Sequence, residues 1–279
     1  MRDPFRIDGP AVVSFSGGRT SALMLRRILD AHGGRLPFDV LAVFANTGKE
    51  RPETLDFVEE CSQRWGVRIH WIERAAGSHK GLPHVQRFHE VDHATASRSG
   101  EPFGALIEER KFLPNPVTRF CTSELKIRPM RDFMRSLGCE HWTNIVGLRA
   151  DEMGRVRNAR APNAERWTVE TPLADAGITE RDVLAFWGGA RFDLRLTSWE
   201  GNCDLCFLKG MAKRQRIMRD RPDLADWWIN AEARVGGRFR NHEPVYARLL
   251  AHTKAQRHLP MLLDDPQDEA GSLPCACTD

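Results

Sequence analysis

A glycine turn rich in hydroxyl side chains follows the first strongly apolar segment of the sequence. Residues 11–15 read AVVSF, and the turn at residues 16–21 leads into an amphipathic pattern that predicts a helix. Glycines let a backbone approach an anion closely, and the free N–H groups at a helix N-terminus bind phosphate. The turn lacks the Gly-Lys-Ser/Thr of a Walker A loop. We therefore predict a phosphate-binding loop of another kind, formed by Ser16, Gly17, Gly18, Arg19, Thr20 and Ser21.

Cysteines supply the second group of residues that could do chemistry. The chain has seven, and five of them lie in three short segments that do not resemble core helices or strands. These five are Cys121, Cys203, Cys206, Cys275 and Cys277. Thiolates bind zinc and iron–sulfur clusters, and a C-x-x-C pair is also typical of redox proteins. The residue types alone leave all three uses open.

The elements that must position these residues alternate in type along the chain. Apolar runs that favour strands occur near residues 11, 39, 69 and 142, and helical patterns separate the first three. This alternation predicts an α/β fold, a twisted parallel sheet of Rossmann type with helices on both faces. We expect a nucleotide-binding domain over residues 1–200, in which residues 74–120 form an insertion or lid. A helical C-terminal region with the C-x-x-C pair and the terminal C-x-C would cover residues 201–279.

The composition is that of a globular protein with a mild positive charge. The chain has 279 residues, 41% of them hydrophobic and 28% charged, with a formal net charge of +3. No apolar run approaches the roughly 20 residues of a membrane helix, and the N-terminal segment has no apolar centre. We therefore expect a cytoplasmic location and no membrane contact. The composition does not indicate an oligomeric state.

A basic segment over residues 209–228 admits two interpretations. Its lysines and arginines, with Trp227 and Trp228, could form a surface that binds nucleic acid. They could equally form a solvated helix whose tryptophans pack into the core. Aspartates interrupt the positive charge at several positions, and this favours the second interpretation.

Five motifs in chain order resemble those of one protein family. The Ser-Gly-Gly-x-x-Ser turn is similar to the PP-loop of the adenine nucleotide α-hydrolase-like superfamily. Thr47 and Gly48, followed by Pro-Glu-Thr at residues 52–54, resemble the strand-end motif of the phosphoadenosine phosphosulfate (PAPS) reductase family. The Cys121–Pro129 segment, the Gly-Leu-Arg-x-x-Glu pattern around Arg149 and the C-x-x-C pair resemble the remaining three motifs. The resemblance covers roughly residues 11–210.

The family resemblance implies roles for particular residues. Thr47, Gly48 and Arg155 would join the phosphate loop in binding an adenine nucleotide. Lys126 and Arg149 would be catalytic groups at the anionic end of that nucleotide. Cys121, Cys203 and Cys206 would hold a metal centre, most simply a 4Fe–4S cluster with zinc as the alternative. Cys277 is the candidate fourth ligand, with Cys275 as the other possibility.

The chain also departs from the family pattern at three places. Phe120 stands where the family has the first cysteine of a Cys-Cys pair, and Thr20 stands where many members have aspartate. The Glu-Cys-Gly-x-His segment that carries the nucleophile of the family's reductases is not found in the sequence. In a reductase of this chain, Cys275 or Cys277 would have to be the catalytic nucleophile.

Three functions follow from the resemblance and these departures. We favour an enzyme in which the α-phosphate of ATP is attacked, pyrophosphate leaves with the help of Mg²⁺, and sulfur is transferred with the assistance of the cluster. The alternative enzyme reduces PAPS, or its form without the 3′-phosphate, and releases sulfite. A third candidate is a sensor that binds nucleotide and cluster without turnover. A nucleic acid or a sulfur donor is a possible partner in addition to the nucleotide.

Overall fold

The computed structural model describes residues 2–78, 81–162, 164–197, 199–201 and 203–256. A six-stranded sheet in the order β4-β3-β2-β1-β5-β6 forms its centre. Every neighbouring pair of strands is parallel except β3 and β4, so the predicted α/β fold class is confirmed. The strands are β1 (Ala11–Ser14), β2 (Val40–Ala45), β3 (Ile69–Arg74), β4 (Phe88–Val91), β5 (Trp142–Val146) and β6 (Trp167–Glu170).

Helices follow most strands, as the sequence pattern predicts. Short 3₁₀ turns lie at His84–Gln86, Ala150–Glu152 and Pro222–Leu224, and a π-helical turn at Ser123–Ile127 joins two α-helices. The α-helices of the described residues are α1 (Arg19–Ala31), α2 (Pro52–Trp65), α3 (Glu101–Arg110), α4 (Phe120–Thr122), α5 (Arg128–Ser136), α6 (Met153–Arg160), α7 (Pro172–Asp175), α8 (Glu180–Gly188), α9 (Met211–Asp220), α10 (Ala225–Val235) and α11 (Tyr246–Ala255).

The two faces of the sheet are covered to different extents. On one face α1, α2 and α8 pack closely and bury residues such as Leu25, Val58 and Trp187 in a continuous apolar core. On the other face Phe133 and Met134 of α5 pack against the β2–β3 side of the sheet. α6 contacts β6, at the far edge. The surface above β1 and β5, between α5 and α6, is left as a cavity.

The C-terminal helices build a second apolar core beside the sheet. α9, α10 and α11 contribute Trp228 and Tyr246, but α3 contributes Phe103 and Leu106 to the same core. The predicted boundary at residue 200 therefore does not separate the two cores, because the second one recruits a helix from the first part of the chain. α9 and α10 are separated by the turn that begins at Pro222, a residue that cannot continue a helix from the preceding turn.

Residues 74–120 differ from the predicted lid. They include β4, which pairs antiparallel with β3 at the sheet edge, and α3. Weak periodicity concealed this strand because it is short and only Phe88 is buried. The segment is therefore an insertion that extends both the sheet and the second core.

Two of the predicted functional cysteines, Cys275 and Cys277, lie outside the described residues, and their roles stay predictions. No helix in the described part of the chain has the length and apolar character needed to cross a membrane.

Candidate active site

The phosphate loop is held open by its own backbone and by one buried serine. Gly17 has a φ of +80°, which favours glycine, and Gly18 is the N-cap of α1 without a side-chain cap. The Ser21 hydroxyl accepts hydrogen bonds from the Ser16 amide (3.1 Å) and hydroxyl (2.9 Å) and donates to the Gly18 carbonyl (3.0 Å). Ser21 therefore braces the loop, while the backbone N–H groups at the start of α1 remain oriented to receive an anion.

Arg19 and Thr20 point to different partners. The Arg19 guanidinium donates to both Asp193 oxygens, at 2.6 and 2.5 Å, and to the Leu196 carbonyl, and so fastens the segment after α8 to the loop. Burial favours a raised pKa for Asp193, but the Arg19 hydrogen bonds outweigh it and lower that pKa. Thr20 is buried, and its hydroxyl accepts from Arg149 at 3.4 Å.

A cavity of about 430 Å³ opens beside the loop, above β1, β5 and β6. Of the predicted loop residues 16–21, Ser16 lines it, and so do Lys126 and Arg155. Trp142 and Trp167, stacked with ring centroids 5.4 Å apart, form part of an apolar wall. The size and the mixture of aromatic and cationic groups suit a nucleotide, with its base on the apolar wall and its phosphates toward the loop.

The sequence analysis missed several residues that line this cavity. Arg119 and Arg131 add two cations, and Asn158 of α6 adds an amide. Ser14 and Asn144 lie on adjacent strands and their side chains hydrogen bond at 2.6 Å. A signal for the last two was present, since each is a polar residue within an otherwise apolar strand pattern, and such residues face a cavity or a partner.

The π-helical turn Ser123–Ile127 forms part of one wall of the cavity. Its wider winding lies between α4 and α5, and Thr122, Lys126 and Ile127 from this stretch all line the cavity. π-Bulges occur frequently at functional sites because they redirect side chains within a helix. Lys126 also lies 3.5 Å from a Glu50 oxygen, so this turn connects the cavity with the end of β2.

Arg149 and Arg155 share the carboxylate of Glu152. The Glu152 oxygens accept from the Arg149 amide at 3.0 Å and form an ion pair with the Arg155 guanidinium. Partial burial works against the charge on Arg149, yet Glu152 and Asp151 outweigh it and raise its pKa. Arg155 lines the cavity directly, while Arg149 contacts the loop through Thr20. The two arginines therefore reach the phosphate region by different routes.

Thr47 and Gly48 connect the end of β2 with the cysteine loop. The buried Glu50 carboxylate accepts from the Thr47 amide and hydroxyl at 2.9 and 2.8 Å. The Thr47 hydroxyl lies 3.7 Å from the Cys203 sulfur. Gly48 has a φ of +78°, and a Cβ there would lie 3.0 Å from the Gly100 Cα. Two predicted nucleotide contacts thus lie beside the cysteine loop at this strand end, although neither lines the cavity.

A buried ion pair fixes the cysteine loop in place. Asp204, between the two cysteines, lies 2.8 Å from the Lys49 ammonium, and both side chains are less than a tenth exposed. The Asp204 carboxylate also accepts from the Trp228 indole at 2.8 Å, and its amide donates to the Lys49 carbonyl at 2.9 Å. The loop is thereby joined to the nucleotide strand end on one side and to the second core on the other.

The predicted metal ligands do not assemble into a metal site. Cys121, Cys203 and Cys206 all pack against the second core. Within the described ranges, however, no three histidine, cysteine or carboxylate side chains come together as metal ligands. Thiols are the right donor type for a cluster or for zinc, but the described geometry does not fit either group, and the cluster stays a prediction.

In the basic segment at residues 209–228 the tryptophans pack into the core, as in the second interpretation of its sequence. Arg214 is buried and paired with Glu243, and Trp228 is fully buried between aromatic rings. Trp227 packs on Phe103, with the Lys49 ammonium over its ring. These tryptophans therefore stabilise the second core.

The chain is similar to one phage protein in sequence and, more distantly, to two solved structures. The nin region protein ORF290 of Escherichia phage lambda is 32% identical over 215 residues, which are 76% of this chain and 71% of the phage protein. The PAPS reductase of Candida auris, solved as a phosphate complex, is 14% identical with a TM-score of 0.40, covering 65% of this chain and 72% of its own. The U34-tRNA thiolase NcsA of Methanococcus maripaludis with its 4Fe–4S cluster has the same identity and TM-score, covering 93% and 75%.

The family itself is shown by a match to the phosphoadenosine phosphosulfate reductase domain over residues 10–171. This range runs from the start of β1 to the residue before α7 and so contains the phosphate loop, the cavity and its cationic lining. Because the match covers more than half of the chain, the protein belongs to the phosphoadenosine phosphosulfate reductase domain family.

Proposed function

We propose that the protein binds an adenine nucleotide in the cavity between α5 and α6 and carries out sulfur chemistry on it. The observation that carries this proposal is the lining of the cavity, where Ser16 of the phosphate loop lies with the cations of Arg119, Lys126, Arg131 and Arg155. Cations and backbone N–H groups fixed in such positions stabilise charge on phosphate oxygens as it develops. Membership in the PAPS reductase family supports the sulfur part.

ATP is the nucleotide we favour. In the reaction that we propose for ATP, an acceptor oxygen attacks the α-phosphorus, the bond to the β-phosphoryl group breaks, and pyrophosphate leaves. A sulfur nucleophile then displaces AMP from the activated acceptor. Lys126 and Arg155 would stabilise the pyrophosphate and the charge at the α-phosphate. Among the described residues that line the cavity none is a carboxylate, so Mg²⁺ would be carried chiefly by the phosphates of the nucleotide.

Reduction of PAPS is the second candidate, and the family match favours it. That reaction needs a thiolate that attacks the sulfur of the sulfonucleotide and a second thiol that resolves the adduct. The Cys203 sulfur lies 3.7 Å from the hydroxyl of Thr47, a predicted nucleotide contact, which makes Cys203 one candidate for the attacking thiolate. Cys275 and Cys277 are the other proposed nucleophiles.

No step of either reaction is routed through an iron–sulfur cluster. The cluster, or zinc in its place, is a separate proposal that rests on the thiol side chains of Cys121, Cys203 and Cys206. Iron, sulfide and zinc analysis of anaerobically purified protein tests it. Iron and sulfide in equal amounts would support a cluster, zinc alone would support a structural site, and absence of all three would refute both.

Competition between nucleotides distinguishes the two reactions. In the binding assay, ATP, adenosine 3′,5′-bisphosphate or AMP displaces a labelled ATP analogue from the protein. In a parallel assay of turnover, the products AMP, pyrophosphate and sulfite are measured. Tighter binding of ATP with release of pyrophosphate supports adenylation. Tighter binding of the bisphosphate with sulfite formed from PAPS supports reduction. Tight binding without any product supports the sensor and contradicts both enzymatic proposals.

A further inference from the structure

Two further cavities share lining residues with the nucleotide cavity. One of about 380 Å³ is lined by α5 and shares Arg131 with the nucleotide cavity. Another of about 520 Å³ shares Trp142 and Trp167 with the nucleotide cavity, and it shares Arg166 with the 380 Å³ cavity. The three cavities are therefore neighbours around α5 and the β5–β6 edge, and we call them together the trench.

The trench presents positive charge because its acids are mostly buried beneath its arginines. The Arg128 and Arg166 side chains are 42% and 49% exposed, whereas Glu124 and Asp132 are 7% and 3% exposed. Asp132 is enclosed by His84, Arg87 and Arg131, and Glu124 by Arg110 and Arg128. The acids open to solvent there are Glu140, which pairs with Arg135 and Arg166, and Glu165. A ligand in the trench therefore meets mainly guanidinium groups.

The spread of these arginines points to a polymer rather than to a small anion. A single phosphate or sulfate would use one cluster of donors, but the trench arginines follow α5 and then reach β6. Aromatic side chains beside a basic groove are the arrangement that single-stranded nucleic acids bind.

We infer that the trench binds a single-stranded segment of nucleic acid and brings one of its nucleotides next to the bound adenine nucleotide. This inference rests on the proposed function, because it names the class of acceptor for the activated phosphate. Arg128 and Arg166 contact the phosphodiester backbone of that segment. This surface is distinct from residues 209–228, for which nucleic-acid binding is the less favoured of the two interpretations of the sequence.

The test compares two double variants that each remove two positive charges. Arg128→Ala/Arg166→Ala alters the trench, and Lys213→Ala/Arg219→Ala alters the rival basic helix α9. Glu124 keeps Arg110 and Glu140 keeps Arg135 in the trench variant, so no carboxylate loses its last cation. Neither Arg128 nor Arg166 lines the nucleotide cavity, so ATP affinity serves as the control for intact folding and for the proposed function.

Fluorescence anisotropy measures the binding of three labelled probes: single-stranded RNA, single-stranded DNA and a duplex of equal length. Each is about 20 nucleotides long, which exceeds one typical binding site. We expect the trench variant to bind single strands about tenfold more weakly, with a log–log salt slope smaller by about 1.4, as expected for two lost phosphate contacts. The α9 variant should bind like the unaltered protein. Comparing the affinities for single-stranded RNA and DNA identifies which of the two the trench prefers.

Three results would overturn the inference: no binding of single strands, equal losses in the two variants, or a duplex bound as well as a strand. Loss of strand binding together with failure of the unaltered protein to bind ATP would refute the proposed function as well. Normal ATP binding without strand binding would refute the trench alone.

Discussion

The hydroxyl groups of Ser16 and Ser21 lie 2.9 Å apart in the phosphate loop, but only Ser16 lines the nucleotide cavity. Ser21 is completely buried, and its hydroxyl forms hydrogen bonds with the Ser16 amide and the Gly18 carbonyl of the same loop. One serine is therefore a candidate phosphate contact and the other maintains the shape of the contact surface. Identical residue types in one short motif have separable functions.

Replacing each serine by alanine separates these functions. Ser21→Ala removes the acceptor of the Ser16 amide and the donor to the Gly18 carbonyl, and it should lower the free energy of unfolding by about 1–3 kcal/mol. Ser16→Ala should cost about 1 kcal/mol or less and weaken ATP binding instead. Urea unfolding and calorimetric titration measure the two effects. A larger loss of stability for Ser16→Ala than for Ser21→Ala would contradict these assignments.

Gly17 is a poor place to test nucleotide binding, although the sequence suggests it. A Cβ there would lie 2.6 Å from the Thr54 Cγ2 atom, and the φ of +80° adds strain. Gly17→Ala would therefore disturb the packing of α2 against the loop, and a loss of binding could arise from that disturbance alone. The serine pair avoids this ambiguity.

At the scale of elements, the Lys49–Asp204 pair is the connection between the nucleotide strand end and the cysteine loop. Removing one member of a buried ion pair leaves the other charged and unpaired, which costs about 3–5 kcal/mol. Lys49→Met and Asp204→Asn should each destabilise by that amount, and the double variant should recover a large part of the loss. A double-mutant cycle by urea unfolding measures this coupling.

Thiol accessibility provides an independent readout of the same connection. Asp204→Asn should increase the rate at which Cys203 and Cys206 react with a thiol reagent, because the loop loses its attachment to Lys49. Cys61, buried in the sheet core with a raised pKa caused mainly by desolvation, should remain slow in both proteins. An unchanged rate for the loop cysteines would show that the ion pair does not restrain them.

The Arg19–Asp193 pair joins α1 to the segment after α8, and it should make stability depend on pH. The folded pKa of Asp193 is lower than its ordinary value of 3.8, so the stabilisation is present above that value and is lost as the pH falls through the folded pKa. The difference in unfolding free energy between the unaltered protein and Asp193→Asn should therefore shrink between about pH 5 and about pH 2.5. A difference independent of pH would contradict this.

At the scale of the whole molecule, local patterns predicted the sheet and the loop but not the arrangement around them. The apolar strands near residues 11, 39, 69 and 142 are encoded within a few residues each, and all four appear where expected. The recruitment of α3 into the second core depends on contacts with residues more than a hundred positions away, as between Phe103 and Trp228. No local pattern carries that information.

The candidate site likewise contains some residues that the sequence predicted and others that it did not. Ser16, Lys126 and Arg155 were found from motifs and do line one cavity, whereas Arg119, Arg131 and Trp167 were missed because their role depends on how α4, α5 and β6 meet. Arg19 illustrates the opposite case. It lies within the motif, yet its guanidinium turns away to Asp193 because a carboxylate from a distant segment binds it there.

The central claim is that an adenine nucleotide occupies the cavity with its phosphates near Lys126. Calorimetric titration of ATP into the protein, into Lys126→Gln and into the matched exposed control Lys254→Gln tests this claim most directly. We predict saturable binding to the unaltered protein and to the control, and affinity lower by about tenfold or more for Lys126→Gln, as expected when a charged hydrogen bond is lost. No ATP binding to the unaltered protein, or equal affinities for the two variants, would contradict the account.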